Sequence, residues 1–186
     1  MKRLVEYIQK IASGKTVLKF FIPAMAVYGI MLLYTIPRVG QYAPKMKLFD
    51  LLPAGYSFEY ANELLFVLGV EGRELYLYLQ LPMDFIYPGL FAVSCCLLLS
   101  WLFTKSLNSS SKMFYLCFVP LAAGLFDYLE NIGIILMLRS YPDITESLVS
   151  ITSILTILKS AFTTAFFVLL LLGVILLMKC KWTSKV

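Results

Sequence analysis

Hydrophobic residues along this chain gather into four long runs, at about residues 17–37, 84–104, 113–138 and 150–178, separated by segments where charge, glycine and proline return. Each run reaches the roughly 20 apolar residues that a helix needs to cross a bilayer. Before the first run, Leu4, Ile8 and Ile11 fall on one side of a short helix and Lys2, Arg3 and Lys10 around the other, until Ser13-Gly14 breaks it. That pattern predicts a helix lying on the membrane surface. In the segment 38–82, Ser57 is placed to cap a helix with Glu59 in its first turn, Phe58, Ala61, Leu65 and Leu68 share one face, and Gly69 stops it. Leu75, Leu77, Leu79 and Leu81 then alternate with Tyr76, Tyr78 and Gln80, which is the period of a strand. A lone strand would have no partner, so a helix from about Glu74 into the second run is the better reading, with Pro82 near its bend. The pattern therefore predicts an all-α fold: a four-helix transmembrane bundle, one integral membrane domain over 1–186, with an N-terminal interfacial helix and a helical first outer loop.

Composition agrees, because a chain that is 60% hydrophobic and 15% charged lies outside the range of soluble globular domains. The net charge of +5 is informative through its distribution. Lys2, Arg3, Lys10, Lys15, Lys105, Lys112, Lys179, Lys181 and Lys185 fall before the first run, between the second and third, and after the fourth. By the positive-inside rule those segments face the cytoplasm, which puts both termini inside a cell (inner) membrane. Asp50, Glu59, Glu63, Glu71, Glu74, Asp143 and Glu146 fall in the other two links, alongside Arg38, Lys45, Lys47, Arg73 and Arg139. Juxtamembrane lysines so scattered form no patch for nucleic acid, and the expected surroundings are the lipid bilayer. Ala24-Met25-Ala26 has the form of a signal cleavage site, but the apolar run continues past it to Pro37 and Lys19 interrupts it.

Polar residues inside the runs carry the candidate chemistry. Asp127, Glu130 and Asn131 lie at i, i+3 and i+4 in the third run, so they share a helix face, with Gly124 opening space one turn below. Thr152, Thr156, Lys159, Ser160 and Thr163 make one polar stripe along the fourth, and Asp84 begins the second. At 1.5 Å per residue from the nearest cytoplasmic lysines, Asp127 lies about 22 Å up, Glu130 about 27 Å, Lys159 about 30 Å and Asp84 about 31 Å. All four thus meet near the outer shoulder of the hydrocarbon layer. Pro88 further deprives the Asp84 carbonyl of its helical donor and calls for a partner from a neighbouring segment.

Charged groups in a spanning segment usually face the bundle interior and mark a site. The expectation is an outward-facing carboxylate-lined pocket of Asp84, Asp127, Glu130, Asn131, Lys159 and Thr156 that takes a cation, an amine or the headgroup of a lipid or other amphiphile. Asp84, Asp127 and Glu130 are the candidate ligands of a hard cation, while the absence of histidine argues against zinc and haem. Two alternatives stay open. One is a membrane-embedded enzyme acting on a lipid or isoprenoid, with Asp127 or Glu130 as general acid or base. The other is a scaffold or assembly subunit with its partner surface at Phe58 to Leu68, and a homo-oligomer fits any of them. Cys95, Cys96, Cys117 and Cys180 lack the spacing of redox or zinc motifs and read as packing residues.

Asp84-Phe85-Ile86-Tyr87-Pro88, Phe126-Asp127-Tyr128-Leu129-Glu130-Asn131 and the Gly72-Arg73…Tyr76 pattern resemble features of small bacterial four-span integral membrane proteins. The resemblance implies the four-span architecture over most of the chain and attaches no function to it. Claudin-like and sterol-isomerase-like proteins match in topology alone, since the Trp-Gly-Leu-Trp with paired loop cysteines of the first and the histidines of the second are missing.

Overall fold

The computed structural model describes residues 2–107 and 111–183, with side chains described as far as Lys179. The centre of the serine-rich link at 108–110, Lys185, and the side chains of Cys180 and Lys181 lie outside the described residues. Among the described residues there is no strand. Four helical stretches are long and apolar enough to cross a membrane: Gly14–Gly40, Phe58–Ser106, Lys112–Ser140 and Glu146–Lys179.

Helix α1 (Lys2–Ile11) ends just before Ser13, whose hydroxyl accepts from the Thr16 amide and caps α2 (Gly14–Ile30). Val5 and Ile8 pack against the bundle, whereas Leu4 and Ile11, expected on the same face as Ile8, are exposed. A π turn at Met31–Thr35 carries α2 into α3 (Ile36–Gly40). The connection then folds back through a single 3-10 turn at Phe49–Leu51, which buries Leu48 and Phe49 completely.

Helix α4 (Phe58–Leu75) starts at Ser57, whose hydroxyl accepts from the Tyr60 amide at 3.2 Å. At Gly69 the backbone turns to φ 64°, breaking the helix where the sequence places its stop, and the Arg73 guanidinium closes the gap by donating to the Leu65 carbonyl at 2.7 Å. The alternating leucines that follow form no strand. They lie in a π turn (Tyr76–Gln80) leading straight into α5 (Leu81–Ser106), so the helical alternative holds. Thr35 and Gln80, one from each π turn, are both buried and hydrogen-bond to each other. A 3-10 stretch (Lys112–Phe118) precedes α6 (Val119–Ser140), and α7 (Glu146–Thr183) closes the chain.

In the bundle α2 packs on α5, α5 on both α6 and α7, and α6 on α7 most extensively. That last contact is close because Gly133 faces Thr152, where a Cβ would collide with the threonine side chain. Two cores result. One gathers Cys95, Cys96, Leu99, Phe103, Phe114, Cys117 and Phe166 around the meeting of α5, α6 and α7, so these three cysteines are buried packing residues with free thiols. The other gathers Leu48, Phe49, Ala61, Leu64, Leu65 and Leu68 with Ile134 and Met137 of α6. It consumes the apolar face of α4 inside the molecule. The Ala61, Leu65 and Leu68 stripe is thus covered within the molecule, while Phe66, Val67 and Val70 of α4 remain exposed.

Candidate functional site

Between the cores lies a cleft of about 330 Å³ whose walls come from four helices and the 49–53 turn. Tyr28 of α2 and Met31 of the π turn after it, Asp84 and Tyr87 of α5, Asp127 of α6, and Lys159, Ser160 and Thr163 of α7 line it, together with Asp50 and Pro53 of the connection. Each wall follows from local sequence. Pro88 and Gly124 let α5 and α6 approach until a Cβ at Gly124 would stand 2.8 Å from that of Ala92. Gly55, at φ 81° and with Ser153 Oγ where its Cβ would be, lets the loop lie on α7. There the Tyr56 amide donates to Ser153 Oγ at 2.8 Å.

Lys159 sits at the centre of the electrostatics. Its ammonium lies 2.5 Å from Glu130 Oε2 and 3.2 Å from Asp127 Oδ1. Glu130, fully buried, accepts a hydrogen bond from Thr156 at 2.8 Å through its other oxygen. Thr156, Glu130 and Lys159 thus form a closed arrangement behind the cleft, while Lys159 and Asp127 also line it. Asn131 turns instead toward the backbone of α5, where its Nδ2 donates at 2.8 Å to the Asp84 carbonyl, the acceptor left without a helical donor by Pro88. Neither Glu130 nor Asn131 is among the residues lining the cleft.

Asp84 reaches the cleft with its side chain. The residue is only 4% exposed, and its Oδ2 has no hydrogen-bond partner. Asp50 joins it from the 3-10 turn, with Oδ2 accepting from the Tyr76 hydroxyl at 2.6 Å and Oδ1 buried without a partner. Sequence reasoning used Asp50 only as a loop charge. The signal that could have found it was the setting of that acid within Leu48-Phe49-Asp50-Leu51-Leu52, where its four neighbours are all apolar. Tyr28 and Tyr87, stacked at 5.4 Å between ring centroids, form an aromatic wall.

The chemistry open to this arrangement is cation recognition. Four carboxyl groups, Asp50, Asp84, Asp127 and Glu130, gather about one ammonium that two of them already hold. Among the described residues no group of three His, Cys, Asp or Glu side chains is arranged to hold a metal ion. No family of known proteins, no curated protein and no solved structure matches this chain.

Proposed function

We propose that the protein is a multi-pass membrane protein of binding or transport type whose carboxylate-lined cleft takes an organic ammonium group. One observation carries the reading: Asp50, Asp84 and Asp127 all line the cleft, beside a lysine already committed to Asp127 and Glu130. A guest that brings N–H donors and positive charge suits a wall with this excess of carboxyl groups, since charge-assisted hydrogen bonds to carboxylates are the strong ones. Tyr28 and Tyr87 add aromatic faces suited to a cation.

In this reading the carboxylates lie within the membrane and the cleft faces outward, with both termini cytoplasmic. The lysine distribution supports that orientation. α1 lies in the inner interface, Leu4 and Ile11 dipping into lipid beside Lys10. Cysteine probes placed singly test the topology: a membrane-impermeant thiol reagent should label position 57 in intact cells and not position 109. Labelling at 109 alone inverts the protein and turns the cleft inward.

Ligand binding is tested by thermal unfolding of the purified protein with butylammonium. Saturating butylammonium should raise the melting temperature by several degrees, since a guest at a hundredfold excess over Kd stabilises by about 2.7 kcal/mol. Asp84→Asn should fold normally and lose that shift. A wild type insensitive to butylammonium would remove the cation-binding reading.

A further inference from the structure

A second concavity abuts the first. It is a groove of about 900 Å³ along the outside of α7, lined by Ile157, Ala161, Ala165 and Leu169 together with Leu116 of the 3-10 stretch and Val119 at the start of α6. Pro53, Ser160 and Thr164 line both the groove and the cleft, so the two meet along one edge of α7. From Ile157 to Leu169 the helix rises about 18 Å, against about 15 Å for one leaflet of the hydrocarbon layer. Small Ala161 and Ala165 form the depression, and both are exposed.

Building on the cation-binding reading, we infer that the ligand is an amphiphile with a cationic amine head in the cleft and a single apolar chain along the groove. The head belongs among Asp50, Asp84 and Asp127, the carboxyl groups that line the cleft. The groove contributes almost no charge of its own; its polar members are the hydroxyls of Ser160 and Thr164, at the shared edge. A chain can follow that edge from groove into cleft. A helix of a second copy, about 10 Å across, could seat on Ala161 and Ala165 but would bridge the edge without entering the cleft. A tail already dissolved in lipid gains little hydrophobic free energy by moving into the groove, so the head supplies affinity and the groove supplies alignment.

The test uses hexadecylammonium carrying a photoreactive diazirine at mid-chain, added to the full-length protein in non-ionic detergent. Crosslinks should map to α7 between residues 157 and 169 and be displaced by unlabelled hexadecylammonium but not by hexadecyl sulfate. The double substitution A161L/A165L, on the exposed face, should cut groove crosslinking by about tenfold and leave the butylammonium melting shift intact. Asp84→Asn should lose both. Groove crosslinking indifferent to A161L/A165L, or equal displacement by the sulfate, overturns the groove while leaving the cleft standing. An unmoved melting temperature with butylammonium overturns the cleft and the groove together. If A161L/A165L turns a dimer into a monomer and the groove is never labelled, a second copy occupies it and the amphiphile is wrong.

Discussion

The two ends of helix α7 sit in the same bundle and do opposite things. From Thr152 to Thr164 it turns hydroxyls and Lys159 toward α6 and the cleft; from Ala165 onward it is almost wholly apolar, burying Phe166 and Gly173 while Leu171, Leu172 and Ile175 face outward. Around Phe166 the neighbours are Cys95, Leu99, Phe103, Phe114 and Cys117, with no charged group among them. The apolar end holds the helices together by dispersion and shape, and its groups need no partners. At the polar end every buried oxygen needs a donor, and some have none. The contrast teaches that one end is built to be stable and the other holds groups that a stability-only design would replace with leucine.

Breaking the polar end at its centre should have the largest effect. Lys159→Met leaves Asp127 and Glu130 facing each other without a counterion, an expected loss of about 3–5 kcal/mol in a reversible unfolding assay. Adding Asp127→Asn should recover part of it; strict additivity in the double-mutant cycle would mean that the pair is not coupled.

At the apolar end the expected cost of Leu99→Ala is about 2–5 kcal/mol, from lost burial and the cavity left behind. The sharper expectation is that the butylammonium shift survives, because Leu99 touches only the apolar core. Loss of the shift in a folded Leu99→Ala protein would show that the two ends are not separable.

A smaller effect isolates Asn131. Asn131→Leu should cost about 1–3 kcal/mol by stranding the Asp84 carbonyl. In a Pro88→Ala background the helix regains its own N–H donor, and the same substitution should cost little. An equal penalty in both backgrounds would mean that Asn131 acts through something other than that carbonyl.

Much of this was legible in the sequence, for specific reasons. Four apolar runs give four long helices because length and hydropathy are local properties. Pro88 announces an unpaired carbonyl by chemistry alone, although nothing local says that Asn131, 47 residues from Asp84, supplies the donor. Counting helical rise brings Asp127, Glu130 and Lys159 to one level because straight helices keep a fixed rise per residue. That count gives depth and not facing, so it could not say that Glu130 lies behind the cleft while Asp84 lines it. Asp50 was out of reach for another reason: its position depends on how a link without periodicity folds back, which is decided by Phe49 packing on Tyr56 and Tyr76. The same folding back buries the Ala61, Leu65 and Leu68 stripe of α4.

The paired π turns have a consequence for how this chain can vary. Each wide turn acts as a one-residue insertion that was absorbed without breaking the helix, and at about 100° per residue it resets the direction of everything beyond it. Across Tyr76–Gln80 the buried positions Gly72, Tyr76, Gln80, Asp84 and Pro88 recur every fourth residue, a spacing that an unbroken α-helix would spiral away from the core. Deleting a single residue there would restore an ordinary helix and leave Asp84 near its present direction, whereas winding the same residues into an unbroken α-helix would swing Asp84 away by roughly a quarter turn, with no change in hydrophobicity or charge. For this protein the winding between Gly72 and Pro88 matters to the site as much as the acids themselves.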